Sequence, residues 1–424
     1  MWITRGKRNS SVYTNKWKAS VKMNILFLSL GNFNNWNEGS IYIDLIKRFA
    51  KEQDVYVVCK RERCENKKTE MLMEQGIKIL YVKTGNIKNV CLIEKGISTL
   101  LIELQFKKAI KRYFPDIKFD LVLYTTPPIT FANVVKYVKK RDGAVTYLML
   151  KDIFPQNAVD MGMMSKVGWK GLIYSFFRRK EKELYRISDY IGCMSPANMD
   201  YVISKNSFIN KNAVEVCPNS VIPDSINIDE KMRNHIREKY SLPLDKKIFV
   251  YGGNLGKPQG IPFLIKCLKS QKNNKKAYFI IVGEGTEYGK LEAFVKEFNS
   301  ENMRLMKNLP KKEYDMLISA CDVGMIFLDH RFTIPNFPSR LLGYMQAKLP
   351  VLACTDKNTD IGKVVVGGGF GWWCESNDVG EFGRVVERVL NTELESMKEK
   401  AFLYLKEHYS VDYVYRVIMG HFTT

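Results

Sequence analysis

One short segment in the C-terminal half combines residue types that can bind an anion. Pro338, Ser339 and Arg340 precede a helix-like stretch; serine is a favourable helix N-cap, and proline is common near a helix start. Free backbone N–H groups at such a position favour anions, and arginine adds a charge-assisted donor. We therefore predict that these three residues bind a phosphate-like group. The alternative is an ordinary capped helix with a solvated Arg340.

Two glycine-rich turns are further candidates for ligand contacts. Gly253 and Asn254 belong to the turn 252–257, which ends on Lys257. Glycine lets the backbone approach a phosphate or sugar closely, and Lys257 is near enough in sequence to reach the same anion. The second turn is 283–285, in which Glu284 lies between two glycines, and it is a weaker indication of a ligand contact. Both turns also suit a purely steric role, and that alternative stays open.

In the N-terminal half, two opposite charges follow an apolar run. Lys151 and Asp152 come directly after Val145–Leu150, where charges are costly unless they are solvated, paired or functional. We predict Asp152 as a base or hydroxyl-orienting carboxylate, with Lys151 beside it; a structural salt bridge is the alternative. Gly39 and Ser40 precede another helix-like stretch. They are predicted to direct N–H groups toward a ligand, or else to form a tight turn with an N-cap.

Histidines and cysteines give no sign of a metal site. His330 follows an apolar run and is a candidate for a sugar contact; a loop histidine without a ligand is the alternative. None of the four histidines has metal-ligand spacing, and the nine cysteines form no C-x-x-C pair. We predict no metal and no cofactor, with buried free thiols in a reducing cytoplasm.

These candidates need a scaffold in which the ends of several strands meet. Two apolar runs that end in glycine, 23–31 and 247–253, open two halves of similar pattern. Further apolar runs follow in each half, separated by helix-like stretches such as 41–52 and 288–299. Runs of consecutive apolar residues are typical of strands buried on both faces of a parallel sheet. The alternation predicts two doubly wound, Rossmann-like α/β domains, whose ligands bind beyond the carboxyl ends of the strands in a shared cleft.

We predict five parts in the chain. They are a basic arm (1–22), a first domain (23–222), a polar linker (223–246), a second domain (247–400) and a tail (401–424). The pattern over 379–409 predicts one long helix, and the aromatic-rich end of the tail is expected to cross back to the first domain.

Composition and charge limit the partners. The chain has 424 residues and a net charge of +21, and no apolar run approaches the roughly 20 residues that a membrane span needs. Residues 1–200 carry +16, against +5 for residues 201–424. Such a field favours phosphates or an anionic membrane surface, whereas no nucleic-acid-binding module is recognisable. The basic stretches 104–114 and 169–186 suit docking on an acidic bilayer, or form core helices with solvated basic faces.

The segment 335–353, PNFPSRLLGYMQAKLPVLA, resembles the donor-binding signature of retaining glycosyltransferase family 4, E-x-F-P-x-x-x-L-E-x-M-A-x-G-x-P-V-[VL]-A. The resemblance extends over about residues 23–409 and includes YGGNL at 251–255, CPNSV at 217–221 and DIFP at 152–155. In detail it is similar to enzymes of bacterial capsule, O-antigen and exopolysaccharide assembly. It implies the GT-B fold and metal-independent transfer with retention. It also implies a nucleotide-sugar donor, UDP-linked among the options, on the second domain, and an acceptor or donor phosphate near Gly39 and Ser40.

The sequence departs from this signature at its charged positions. The family's two glutamates fall on Pro335 and Gly343, and the second of them normally holds the ribose hydroxyls. The family's phosphate-binding arginine and its lysine partner fall on Asn254 and Gln259, with Lys257 between them as a substitute.

The resemblance and the residues together predict a cytoplasmic glycosyltransferase, peripheral at the inner face of the cell membrane. Its expected acceptor is a polyprenyl-diphosphate-linked or other saccharide of bacterial surface polysaccharide synthesis. A nucleotide-sugar epimerase of the same fold is the nearest enzymatic alternative, because it needs no acceptor. An inactive GT-B subunit is the alternative from another class, because both family glutamates are missing. Domain closure is expected to bend the chain near 223–246.

Overall fold

The computed structural model describes residues 22–31, 33, 35–87 and 90–422, apart from the side chains of Leu92 and Ile93. Of the predicted basic arm only Lys22 lies within the described residues. Its ammonium group is 2.5 Å from the carboxylate of Asp54.

An eight-stranded sheet forms the first domain. Its strands are β1 (Asn24–Ser29), β2 (Asp54–Glu62), β3 (Glu70–Glu74), β4 (Ile77–Thr84), β5 (Leu121–Thr125), β6 (Val145–Leu150), β7 (Tyr190–Cys193) and β8 (Val214–Val216). Their spatial order is β3-β4-β2-β1-β5-β6-β7-β8, and all neighbours are parallel except β3 and β4. The helices of this part are α1 (Ile41–Ala50), α2 (Leu92–Tyr113), α3 (Ala132–Asp142), α4 (Gln156–Asp160), α5 (Gly168–Ile187) and α6 (Pro196–Lys205).

A six-stranded, fully parallel sheet forms the second domain. Its strands are β9 (Lys247–Asn254), β10 (Ala277–Glu284), β11 (Met303–Met306), β12 (Val323–Phe327), β13 (Val351–Thr355) and β14 (Gly371–Glu375), in the order β11-β10-β9-β12-β13-β14. The remaining helices are α7 (Glu230–Lys239), α8 (Ile261–Ser270), α9 (Tyr288–Phe298), α10 (Lys311–Ser319), α11 (Arg340–Gln346), α12 (Ile361–Gly367), α13 (Val379–Leu390), α14 (Glu395–His408) and α15 (Val411–Met419).

Both sheets are covered by helices on their two faces. In β1, Leu26 and Leu28 face the core beneath α2, α3 and α5, whereas Ile25 and Phe27 face the core beneath α1 and α15. Successive side chains of a strand point to opposite faces, so a strand buried on both sides must be apolar at every position. The predicted fold class, two doubly wound parallel α/β domains, is confirmed.

Two stretches differ from their predicted form. The prediction of one long helix over 379–409 is wrong, because this stretch forms two helices, α13 and α14. Asn391 and Thr392 donate side-chain hydrogen bonds to the carbonyl groups of Glu387 and Arg388, and such bonds compete with continuation of a helix. The stretch 223–246, expected as a polar linker, contains α7, whose buried Arg237 donates to Asp322 of the second domain at 2.7 Å.

The end of the chain packs on the first domain. Val221 and Ser410 form a parallel bridge where the chain passes between the domains. In α15, Tyr415 and Ile418 are buried in the α1-side core, and the guanidinium group of Arg48 lies 3.8 Å above the Tyr415 ring. Within the described residues, no helix is long and apolar enough to cross a membrane.

Candidate active site

The two domains enclose a cavity of about 560 Å³ at the carboxyl ends of their central strands. Its lining from the first domain includes Thr126, Lys151, Asp152, Asn157 and Asn219. The second domain contributes the turn 252–254 and the segment 336–340. This is the place where ligands of doubly wound sheets bind.

Arg340 supplies a cationic donor to this cavity. Its guanidinium carbon lies 4.3 Å from the centre of the Tyr251 ring. Its Nη1 atom is buried and has no hydrogen-bond partner. A buried guanidinium nitrogen without a partner is costly, so a site that leaves one free is ready for an anion. The alternative of a fully solvated Arg340 does not match this geometry.

Ser339 does not cap α11, and this detail of the prediction is wrong. It stands at the N-cap position but has helical backbone angles, φ −65° and ψ −13°, and its side chain accepts no bond from the helix. Its hydroxyl is engaged instead by the amide nitrogen of Asn219, 2.5 Å away on the first domain. Pro338, Ser339 and Arg340 all line the cavity, so the segment reaches it without the predicted cap.

Glycine is required in the turn that follows β9. A Cβ atom on Gly252 would lie 1.7 Å from the Tyr314 hydroxyl, and Gly253 has φ +112°. The Gly252 N–H donates to the hydroxyl of Tyr344 at 3.1 Å. Steric necessity and access to the cavity therefore coincide here, because both glycines also line it.

Asn254 and Gln259, which fall on the family's arginine and lysine positions, bind each other. The Asn254 amide donates to Gln259 Oε1 at 3.1 Å, and the Gly256 N–H donates to the same oxygen. Both residues line the cavity, whereas Lys257 between them is exposed and does not.

Lys151 and Asp152 lie where β6 opens into the cavity. The hydroxyl oxygen of Thr126 accepts bonds from the backbone N–H groups of Lys151 at 2.9 Å and of Asp152 at 3.3 Å, which fixes the segment. Burial lowers the pKa of Lys151 to about 8 and raises the pKa of Asp152. Among the ion pairs of the described residues none joins these two side chains, so the predicted alternative of a structural salt bridge between them is not formed.

Four further predicted residues lie outside the cavity lining. Glu284 is exposed at the end of β10, and His330 is half-exposed, with Nδ1 3.7 Å from Asp329. Ser40 caps α1 by accepting the Ile43 N–H at 3.2 Å. A Cβ atom on Gly39 would lie 2.6 Å from the Asp44 carboxylate, so this position carries the steric role that was the alternative.

Several lining residues were missed by the sequence argument. Asn157 and Asn219 each keep a buried side-chain oxygen without a hydrogen-bond partner, and Thr126 orients the Lys151 segment. Asn219 follows β8 as Asp152 follows β6, so its place after an apolar run was an available signal.

The two positions that lack the family's glutamates differ in surroundings. The carbonyl oxygen of Pro335 accepts a bond from the Asn198 amide of the first domain. A Cβ atom on Gly343 would meet nothing within 4 Å. Among the described residues, no three or more His, Cys, Asp or Glu side chains are arranged to hold a metal ion.

Sequence comparison links the second domain to a known family. Residues 232–403 match the family described as Glycosyl transferases group 1. Probable glycosyltransferase WbjE of Pseudomonas aeruginosa is 25% identical over 301 residues, 69% of this chain and 71% of that protein. Putative colanic acid biosynthesis glycosyl transferase WcaI of Escherichia coli K12 is 25% identical over 222 residues, 51% of this chain and 53% of that protein.

Solved structures share the whole architecture. Sucrose-phosphate synthase from Thermosynechococcus elongatus matches with a TM-score of 0.70 and 14% identity over 95% of this chain and 98% of its own. Anabaena Alr3699/HepE in complex with UDP and glucose matches with a TM-score of 0.67 and 14% identity over 94% and 99%. At such identities the likeness shows the fold, which is the predicted GT-B fold. The chain therefore has the GT-B fold, its residues 232–403 match the glycosyl transferases of group 1, and its relatives include a protein named for colanic acid biosynthesis.

Proposed function

We propose that the protein transfers a sugar, with retention and without metal, from a nucleotide-sugar donor to a saccharide acceptor of bacterial surface polysaccharide synthesis. One observation carries the proposal: an unpaired cationic donor on Arg340 shares one cavity with the carboxylate of Asp152 on the other domain. The Anabaena protein in complex with UDP and glucose supports a UDP-linked donor. The name of the relative in colanic acid biosynthesis supports the acceptor class.

The second domain binds the diphosphate of the donor in this proposal. Arg340 donates from Nη1, and the glycines at 252 and 253 allow the phosphate to approach the backbone. The guanidinium group of Arg340 is held in place before the reaction by the surrounding tyrosines. Fixed donors stabilise the negative charge on the departing diphosphate without reorganisation.

The first domain binds and activates the acceptor. Asp152, whose pKa is raised by burial, orients the attacking hydroxyl toward the face of the sugar from which the diphosphate departs, as retention requires, and accepts its proton as the new glycosidic bond forms. The free oxygens of Asn157 and Asn219 accept hydrogen bonds from sugar hydroxyl groups, which satisfies both buried amides. Lys151 adds an ammonium group that loses its proton more readily than usual, since burial lowers its pKa.

We further propose that the acceptor is linked to a lipid such as a polyprenyl diphosphate and that the protein works at the inner face of the cell membrane. The support is the charge of the chain: residues 1–200 carry +16, three times the +5 of the remainder. A basic surface attracts an anionic leaflet.

A panel of nucleotide-sugars tests the proposal. A bound donor raises the melting temperature by mass action, and the donor that does so is then assayed for transfer in the presence of EDTA. Full activity with chelator is expected; loss of turnover with EDTA and recovery with Mg²⁺ would contradict the metal-independent mechanism. Hydrolysis or epimerisation without any acceptor dependence would point to the epimerase instead.

The Asp152→Asn variant separates the acceptor step from donor binding. We expect a fall in kcat of about 10²–10⁴-fold, the usual contribution of a general base, with an unchanged donor Kd. Asp200→Asn, at an exposed position of α6, is the matched control. Near-normal turnover of a well-folded Asp152→Asn protein would exclude the assigned role.

A further inference from the structure

The N-terminal half of α5 presents an apolar stripe to solvent. Trp169, Leu172, Ile173 and Phe176 stand at positions i, i+3, i+4 and i+7 and therefore share one face of the helix. This spacing normally marks a core-facing surface, yet Trp169 and Leu172 are 69% and 75% exposed, and the other two are 42% exposed each. The helix buries its C-terminal half instead, around Leu184. These four residues are called the α5 stripe.

A second stripe of the same kind lies on α2. Ile97, Leu100, Leu101 and Leu104 repeat the spacing, and all four are exposed. Other side chains of α2, α3 and α5 pack together on one face of the first sheet, with α3 in contact with both neighbours. The α2 stripe and the α5 stripe therefore belong to one helical layer of the first domain.

The charges around the α5 stripe have a single sign. Residues 161–180 include lysines and arginines but no aspartate or glutamate. Lys166, Lys170 and Arg179 are exposed, and the Lys170 ammonium group lies 5.7 Å from the Trp169 ring. An anionic bilayer accepts this combination, because apolar side chains enter the boundary between headgroups and acyl chains while cations contact lipid phosphates. Tryptophan is itself enriched at that depth.

The α5 stripe is connected to the active-site cavity. Phe177, beside Phe176, packs edge-on against Phe154 with ring centres 5.2 Å apart, and Phe154 follows Asp152 by two residues. Met163, which precedes α5, is exposed and also lines the cavity. Insertion of the α5 stripe into a membrane therefore brings the acceptor side of the cavity next to that membrane.

We propose that the α5 stripe, together with the α2 stripe, inserts into the interfacial layer of an anionic lipid bilayer and holds the acceptor side of the cavity at the lipid surface. This inference rests on the proposed function only for the lipid-linked acceptor. It goes beyond that function by naming the side chains that enter the membrane.

Cosedimentation of the full chain with vesicles tests this insertion. The vesicles contain phosphatidylglycerol and phosphatidylcholine, with pure phosphatidylcholine as the uncharged comparison. The variant carries Leu172→Gln and Ile173→Gln, because glutamine preserves helix propensity. Leu403→Gln, on α14 of the second domain and 58% exposed, is the matched control.

We expect the Leu172→Gln, Ile173→Gln variant to need about tenfold more anionic lipid for half-maximal binding, since it loses two inserted apolar side chains. The control should bind like the wild type. A second variant with Leu100→Gln and Leu101→Gln should weaken binding in the same direction. Because all these positions are exposed, the melting temperatures should stay equal.

Three results would overturn the proposal. They are equal binding by the wild type and the α5 variant, no vesicle binding by the wild type, and a wild-type dimer that the α5 variant converts to a monomer, which would make the stripe a subunit interface. Stabilisation of the same samples by UDP is measured in parallel. Membrane binding that fails while UDP still stabilises the protein refutes the inference and the proposed membrane location but leaves the proposed sugar transfer standing. Membrane binding without any stabilisation by UDP refutes the proposed UDP-linked donor and leaves the inference standing.

Discussion

At the scale of single residues, Arg340 is held by aromatic rings instead of an opposite charge. Its guanidinium group stacks on Tyr251 at 4.3 Å, close to the hydroxyls of Tyr314 and Tyr344, and Nη1 has no partner. No carboxylate among the described residues forms an ion pair with it. A cation without an ion-pair partner is free to form a charge-assisted hydrogen bond with an anion.

We predict that Arg340→Ala weakens binding of UDP by about 1.5–3 kcal/mol, the range for a hydrogen bond to a charged group. Calorimetry with free UDP measures this loss. Arg384→Ala, on the exposed side of α13, is the control and should leave the dissociation constant unchanged. An Arg340→Ala protein that binds UDP like the wild type, with a normal melting temperature, would remove Arg340 from the donor site.

The lowered pKa of Lys151 predicts how the stability of the protein depends on pH. Its pKa is about 8 in the folded protein because burial disfavours the charged form, against about 10.4 in an unfolded chain. Between these values the unfolded chain binds a proton that the folded protein has lost, so stability rises with pH across this window.

Lys151→Met should therefore stabilise the protein below pH 8 by on the order of 3 kcal/mol, and the gain should shrink to nothing by about pH 10.5. Urea denaturation at a series of pH values measures it. Lys266→Met, at an exposed position of α8, serves as the control with no pH-dependent gain. A constant difference across the whole series would show that packing, and not the charge of Lys151, separates the variant from the wild type.

At the scale of elements, α4 and the loop after β12 join the two domains in front of the cavity. Thr333 donates its backbone N–H and its hydroxyl to the carboxylate of Asp160 at 2.8 and 2.9 Å. Beside this contact, Ile153 and Met161 of the first domain share an apolar cluster with Leu328, Phe332 and Ile334 of the second. The elements that must separate when the cleft opens are thus linked by both polar and apolar contacts.

We predict that Asp160→Ala shifts the protein toward an open cleft and weakens UDP binding about 5- to 30-fold, because the lost hydrogen bonds to a charged group favour only the closed form. Small-angle scattering should show a larger radius of gyration without ligand and the wild-type value at saturating UDP. Asp200→Ala on α6 should change neither quantity. An unchanged radius of gyration would mean that the remaining contacts between the domains keep the cleft closed without Asp160.

At the scale of the whole molecule, the chain ends in the domain where it begins. Tyr415 of α15 is buried against Phe49 with ring centres 4.9 Å apart, and its hydroxyl donates to Glu52 at 2.7 Å. The first sheet therefore completes one of its two cores with residues that follow the entire second domain. The first domain therefore does not correspond to an uninterrupted segment of the chain.

We predict that Tyr415→Ala lowers the free energy of unfolding by about 3–5 kcal/mol, as expected for deletion of a large buried aromatic side chain. Urea denaturation followed by near-ultraviolet circular dichroism gives the value. Leu403→Ala, at an exposed position of α14, should cost less than about 0.5 kcal/mol. A small effect at Tyr415 would show that α15 is only loosely attached.

Local sequence was sufficient for the buried parallel strands but not for β3, which pairs antiparallel with β4 at the edge of the first sheet. In β1 and β9 the apolar residues are consecutive because each strand is covered on both faces, so burial leaves a direct mark on the chain. The same local reasoning predicted Asp152 and Arg340, since the carboxyl end of a strand and the start of a helix are recognisable from their neighbours, and both residues line the cavity. It failed for the helix over 379–409, where side-chain bonds of Asn391 and Thr392 compete with the backbone.

The contacts of the site were decided only by the tertiary structure. Asn219 and Ser339 are 120 residues apart, and their hydrogen bond replaces the helix cap that local sequence predicts for Ser339. Likewise, the α5 stripe has the residue spacing that a buried helix face would have. Periodicity therefore cannot distinguish a core helix from a membrane-facing one. The sequence by itself determined which segments form the buried parallel strands and which charged residues follow their ends, because those properties depend on near neighbours. Which polar atoms remain unpaired, and which apolar faces remain uncovered, depends on distant segments and is fixed only when the two domains come together.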